Sequence, residues 1–157
     1  MTDVALVCGG AGALGSAIVE ALRARGDEVV VADRNTVDLT DAEAVEAFWE
    51  RLADRPRWVV NAAGGFRPAT VAETEPGDLR FLTELNFETA WWSCRAAARR
   101  LPDDGAIVNV VVPALIDTPG NRAHGISGGT PPDEIARTVA FLLSDDARAV
   151  TGAIVPV

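Results

Sequence analysis

Residues 4–7 form a short unbroken apolar run that ends at Gly9, after which Leu14, Ala17, Ile18, Ala21 and Leu22 recur at helical spacing. A buried strand, a glycine turn and an amphipathic helix follow from that change of period. Gly26 stops the helix, and 28–32 is a second, β-branched run closed by Asp33. A third, very short extended piece is expected at 37–39. Thr40 offers an N-cap with Glu43 three residues on, and Val45, Phe48, Trp49 and Leu52 make one apolar stripe, so a helix comes next. Residues 58–62 read as strand four, followed by a loop that opens on Gly64-Gly65 and holds Pro68 and Pro76. From 77 to 101 the pattern is helical, with Phe87, Ala90, Trp91, Cys94, Ala98 and Leu101 on one side, while Trp92 falls beside Glu88, Arg95 and Arg99. A turn at 103–105 leads into the apolar run 106–112, interrupted by Asn109 and ended by Pro113. A Gly/Pro/Ser-rich loop at 119–132, a helix at 133–144 and a last strand at 153–157 complete the chain.

Strands alternating with helices at this spacing predict an α/β fold: a doubly wound parallel sheet of six strands in the order 3-2-1-4-5-6, with helices on both faces. In such sheets ligands sit at the carboxyl ends of the strands, near the switch between strands one and four. At 157 residues, 48% hydrophobic and 24% charged, a single domain spanning 1–157 is expected. The net charge of −9 argues against nucleic acid and anionic membrane surfaces as partners. Met1-Thr2-Asp3 carries no positive n-region and only four apolar residues follow before the glycines, which predicts neither signal peptide nor anchor and a cytoplasmic protein. Cys8 and Cys94 fall in different elements without metal-ligand spacing, so reduced, partly buried thiols and no metal site are expected.

Gly10-Ala11-Gly12-Ala13-Leu14-Gly15 fits G-x-G-x-x-G directly between strand and helix. There the first glycine permits the tight turn, the second lets backbone approach a pyrophosphate, and the third lets helix pack on strand. Asp33, at the end of strand two, stands where an acidic residue takes the ribose hydroxyls, which favours NAD; the adjacent Arg34 would offset part of its repulsion of an NADP 2′-phosphate. The other reading of these glycines is a turn kept for packing.

Taken with their neighbours, these residues resemble the short-chain dehydrogenase/reductases. The run from Cys8, Gly9 and Gly10 through Gly12, Ala13, Leu14 and Gly15 is similar to that family's T-G-x-x-x-G-x-G turn, and its ending is similar to the dihydropteridine reductase branch. Val60-Asn61-Ala62-Ala63-Gly64 is similar to the N-N-A-G motif, and Asp38-Leu39 to the pair that reaches the adenine. Asn86 lies where the family has the structural Asn of its catalytic tetrad. Pro113, Ile116 and Thr118 belong to a stretch similar to P-G-x-I-x-T-P, in which the Ile backbone and Thr hydroxyl hold the nicotinamide carboxamide. The resemblance implies a Rossmann-type, NAD(P)-binding oxidoreductase domain, usually homodimeric.

The family's domain runs to roughly 250 residues, longer than this chain. Between 107 and 113 the sequence passes from the end of one family strand to the end of the next, as though the catalytic Ser and the Y-x-x-x-K helix between them had been removed. All 14 basic residues are Arg, and there is no Tyr, so no other position in these 157 residues supplies the Tyr/Lys proton relay. Asn86, Asp117 and His124 are the remaining candidate catalytic residues, with Arg122 and Ser127 behind them; a turn or cap at Asp117 and a solvated loop residue at His124 are the plain readings. Trp92 is read either as an anchor at a helix-mediated interface, between two copies or with a full-length family member, or as cover for the edge of its own domain. Three functions follow: an NAD(H)-binding oxidoreductase with weak or altered reductase chemistry on a small carbonyl substrate, a noncatalytic dinucleotide module or regulatory partner, and an inactive deletion product.

Overall fold

The computed structural model describes residues 3–109 and 115–157. A parallel four-stranded sheet is its centre, built from β1 (Val4–Cys8), β2 (Glu28–Ala32), β3 (Trp58–Asn61) and β4 (Ala106–Asn109) in the order β2-β1-β3-β4. These are the four central strands of the expected order, with the switch point between β1 and β3. The register pairs Cys8 with Ala32 and with Asn61, and Asn61 with Asn109, so the carboxyl ends of all four strands are level.

Strand alternation sorts the core into two layers. Ala5, Val7, Trp58 and Val60 face α1 (Ala13–Arg25) and α6 (Pro132–Leu142), meeting Ile18, Leu22, Ile135 and Val139. Leu6, Cys8 and Val59 face the other way, onto α2 (Ala42–Glu50) and α4 (Thr89–Ala98), meeting Val45, Trp49, Ala96 and Ala97. A sheet covered on both faces needs strands that are apolar at consecutive positions, which is the pattern of 4–7 and 58–60. α1 stops at Gly26, whose φ of 103° is left-handed and whose N–H donates to the Arg23 carbonyl.

Two expected strands are not strands. Residues 37–39 are unpaired: Asp33 and Thr36 close a turn just before them and Asp38 closes another with Thr40, leaving too short a span for a ladder, although Val37 and Leu39 are buried. Residues 153–157 also lie outside any ladder, after a turn at Gly152 with φ 63°. Asp41, not Thr40, caps α2; its Oδ1 accepts from the Glu43 and Ala44 N–H groups, and Thr40 instead bonds Asp38. The long helix is not uniform: α3 (Pro76–Thr83) passes through a π-turn at Glu84–Glu88 into α4. That extra residue rotates the later face. The buried side of α4 is Thr89, Ser93, Ala96 and Ala97, while Phe87 and Trp91 are exposed and stack on each other with ring centroids 5.7 Å apart. The 119–132 loop holds a short helix, α5 (Pro119–Ala123). No helix among the described residues is long and apolar enough to cross a membrane.

Candidate functional site

The level carboxyl ends of β1, β2 and β3 put three loops side by side. Gly9 N–H donates to the Ala32 carbonyl (2.7 Å) and Ala62 N–H to the Cys8 carbonyl (2.9 Å), which locks the glycine turn between the ends of β2 and β3. Gly9 has φ 83°, and a Cβ there would stand 2.5 Å from the Ala63 nitrogen. A Cβ on Gly15 would stand 2.1 Å from the Gly9 carbonyl oxygen, and one on Gly10 would meet Val31 and Val19. These three glycines are therefore needed for packing whatever is bound. Gly12 differs: a Cβ there would meet only the Gly9 carbonyl, at 3.3 Å, and otherwise open space.

Gly12 is also the N-cap of α1, which has no side-chain cap and no acidic residue in its first turn. The free N–H groups and positive dipole end of a 13-residue helix thus open beside the exposed Gly12 and Ala13. That is an anion cradle, and a pyrophosphate fits it. Asp33 stands at the end of β2 with Oδ1 accepting from Asn35 N–H at 2.8 Å and, among the described residues, no protein donor on Oδ2. Arg34 is exposed beside it. Asp38 is exposed too; the Thr40 hydroxyl and N–H on its Oδ1 hold its carboxyl below the usual range.

Other expected site residues serve as support. Leu14 and Leu39 are buried in the core, so only their backbones can face a ligand. Asn61 is buried beneath the site, where its Nδ2 donates to Asn109 Oδ1 (2.7 Å) and to Cys94 Sγ (3.2 Å), tying β3 to β4 and α4. Ala62, Ala63 and Gly64 continue from it along the rim, and Asn86 lies across from them within the π-turn that joins α3 to α4. Its Oδ1 accepts from Gly65 N–H (2.9 Å) and its Nδ2 donates to the Gly65 carbonyl (3.0 Å), clamping the loop after β3. Cys94 is half-buried against this amide cluster rather than in the core, and burial raises its thiol pKa. Cys8 is fully buried against Ser93, and burial pushes its thiol up to about 11.

Across the rim, Thr118 caps α5 by accepting from Asn121 N–H, and Asn121 Nδ2 donates to the Ile116 carbonyl at 2.7 Å. Asp117 is paired with Arg122, and His124 Nδ1 lies 2.8 Å from the Gly120 carbonyl on exposed surface. Both candidate acids are thus engaged locally. Pro113 lies outside the described residues. Trp92 is half-buried against its own core under Arg95, whose guanidinium lies 5.5 Å from the ring; the exposed aromatics of that segment are Phe87 and Trp91. Sequence reasoning missed the Asn61-Asn109-Cys94 cluster, although Asn109 stood out as the polar break in an apolar strand.

The RmlD substrate binding domain model matches residues 3–96. An uncharacterized oxidoreductase of Methylorubrum extorquens is 27% identical over 197 aligned positions, taking in 88% of this chain and 79% of the relative. That alignment is longer than the chain's 157 residues and so includes positions of the relative that face no residue here. A small-chain dehydrogenase in complex with NADPH superposes with a TM-score of 0.64 at 25% identity, over 69% of this chain and 50% of that one, so the chain spans about half of that protein's length. The ligand-free aldohexose dehydrogenase of Thermoplasma acidophilum reaches a TM-score of 0.80 at 19% identity, over 96% of this chain and 90% of that one, which shows the shared fold. With more than half of its residues under that one model, and with the level strand ends and glycine turn described above, the chain belongs to the short-chain dehydrogenase/reductase-like family of NAD(P)-binding proteins.

Proposed function

We propose that the chain is a cytoplasmic NAD(H)-binding oxidoreductase of one domain with weak or altered reductase chemistry. The observation that carries this reading is the uncapped α1 N-terminus opening at Gly12, one strand away from a carboxylate at Asp33. The α1 amides and the Gly12 backbone would hold the pyrophosphate. Asp33 would take the ribose hydroxyls, and its charge disfavours a 2′-phosphate, so NAD is preferred to NADP. Asp38 and the Leu39 backbone would border the adenine, the rim at 62–64 the nicotinamide ribose, and the Ile116 backbone with Thr118 the carboxamide. When bound, the nicotinamide supplies or accepts a hydride.

What this chain contributes is binding and orientation. Asn86 holds Gly65, and Asn61 holds the sheet ends, so the rim is set before ligand arrives. The proton relay is the missing part: without Tyr or Lys, reduction of a carbonyl proceeds with no positioned phenol, at a cost of roughly 10² to 10⁴ in rate. Titrating NADH against the fluorescence of the four tryptophans tests the reading, with energy transfer to the reduced nicotinamide expected. No transfer at millimolar NADH refutes it. Slow oxidation of NADH with a small carbonyl panel is the expected second result.

A second reading has its own observation. The stacked, exposed Phe87 and Trp91 lie on the segment that also carries Asn86, and such a pair suits a partner helix from a second copy or a full-length relative that supplies the missing acid in trans. Light scattering of Trp91→Ser against the parent tests this. A mass unaffected by the substitution, and turnover unchanged by an added full-length relative, removes it.

A further inference from the structure

The 115–118 stretch is pinned on one side by Thr130. Thr130 N–H donates to the Leu115 carbonyl (2.8 Å) and Asp117 N–H to the Thr130 carbonyl (3.0 Å), the two bonds of a single parallel bridge between Ile116 and Thr130. In such a bridge the residues flanking Ile116 do the pairing, so the N–H and C=O of Ile116 itself turn to the opposite side. There the Ile116 carbonyl oxygen is already full. Thr118 N–H donates to it at 2.9 Å, and Asn121 Nδ2 donates to it at 2.7 Å. A carbonyl oxygen has two lone pairs, and both are occupied. The second is held by a primary carboxamide, the same chemical group that a nicotinamide ring carries.

We propose that Asn121 is a gate on the nicotinamide subsite: its side-chain amide holds the Ile116 carbonyl when no cofactor is bound, and it swings out before a nicotinamide carboxamide can donate there. The inference rests on the reading that Ile116 and Thr118 receive the carboxamide, and it adds the residue that competes for the place.

Asn121 is built so that its side chain can move while its backbone stays. Its N–H donates to Thr118 Oγ1 (3.1 Å), and its carbonyl accepts from the His124 and Ile126 N–H groups (3.0 Å each), which fixes its main chain in α5. Among the described residues its side chain makes one bond, the one to Ile116. The residue is half-buried rather than enclosed, so a change of rotamer exchanges that bond for one to water. Thr118 is untouched by the exchange, because its Oγ1 accepts from the backbone of Asn121 and not from its side chain. The loop does not need the Asn121 amide for its shape, since the Thr130 bridge and the Thr118 cap hold it on either side.

Calorimetric titration with three probes tests the gate. NADH is one; ADP-ribose, which has no nicotinamide, is the second; the third is reduced acetylpyridine adenine dinucleotide, whose methyl ketone accepts hydrogen bonds but has no amino group to donate. With the parent chain NADH gains a bond to Ile116 only as Asn121 loses one, so it is expected to bind no more than about threefold tighter than the acetylpyridine analogue. Asn121→Ala leaves the carbonyl open. NADH is then expected to bind about fivefold tighter than to the parent, the worth of one ordinary hydrogen bond, while ADP-ribose and the analogue keep their parent affinities. A larger preference of the parent for NADH over the analogue overturns the gate, and this comparison decides the matter even if the variant does not fold. NADH binding that Asn121→Ala leaves unchanged or weakens also overturns it, as does a tightening shared by ADP-ribose. A parent chain that does not bind ADP-ribose refutes the dinucleotide reading itself, and the gate falls with it.

Discussion

Replacing Gly9 and Gly12 separately by alanine divides the two tasks of the glycine turn. At Gly9 the new methyl group must sit in a left-handed conformation, at about 1–2 kcal/mol. It also lands 2.5 Å from the Ala63 nitrogen, 2.6 Å from the Ala63 Cα and 2.8 Å from the Ala62 carbonyl carbon. All three atoms are backbone and none can rotate away, so overpacking adds roughly 1–3 kcal/mol. For a chain of this size each kcal/mol moves Tm by about 2–4 °C, which gives a drop of roughly 4–20 °C for Gly9→Ala. Gly12→Ala meets only the Gly9 oxygen at 3.3 Å, with φ −72° and ψ 167°, which any residue adopts. Its lost N-cap preference and its reduced unfolded-state entropy are each below about 1 kcal/mol and opposed, so Tm stays within about 3 °C. The methyl group nonetheless occupies the mouth of the helix N-terminus. Losing even one charged hydrogen bond there, at about 1.5–3 kcal/mol, weakens NADH binding by about tenfold or more. Circular dichroism melts and the tryptophan-to-NADH transfer titration read the two effects independently. The reasoning fails if Gly12→Ala binds NADH like the parent chain, or if Gly9→Ala melts at the parent temperature.

Three further outcomes are expected. Asp41→Ala removes the acceptor for two α2 amides and lowers urea stability by about 1 kcal/mol, whereas Thr40→Ala has a smaller effect; the reverse order contradicts the cap assignment. The Cys8 thiol titrates near 11 in the fold against 9.0 unperturbed, so the unfolded chain releases that proton first and stability present below pH 9 is lost between pH 9 and 11, on the order of 2 kcal/mol. No Tyr or Lys titrates in that window, and the one other thiol, Cys94, is also raised by burial, so Cys8→Ala makes the melt-versus-pH curve shallower there without flattening it, and an unchanged slope sinks the assignment. Arg57→Ala, which frees Asp3, Asp104 and Asp145 on partly exposed surface, costs about 1 kcal/mol at low salt and less in 1 M salt; a salt-independent loss would point to its stacking on Trp58 instead.

Where one physical signal decided the structure, the sequence was enough. Unbroken apolar runs at 4–7 and 58–60, too short for helices and rich in β-branched residues, read as strands covered on both faces, and the glycines at 9–15 leave few options for the turn between strand and helix. Boundaries failed where two short-range bonds competed, as when Asp38 took the Thr40 hydroxyl and left the cap of α2 to Asp41. Faces failed after the π-turn. A stripe counted through Glu84–Glu88 at uniform spacing drifts by one residue, which sent Trp91 inward on paper and left it exposed in the fold. The glycine rim of the candidate site was legible for the same reason as the strands. Its supports were not, because Asn61, Cys94 and Asn109 are far apart in sequence and meet only through the β3-β4 register.

At the opposite rim of the sheet, Arg57 at the foot of β3 reaches Asp3 before β1, Asp104 in the turn before β4 and Asp145 after α6, while Arg25 at the end of α1 donates to the Ala140 and Leu143 carbonyls. The lower edge is thus riveted by charge, and the upper edge is shaped by backbone that lacks side chains. Ionic strength acts on the ion pairs of the base and not on the backbone bonds of the glycine turn. A salt series therefore gives an independent handle on the molecule: it loosens the anchored base, while the glycine turn, held by neutral amide-to-carbonyl bonds, keeps its form.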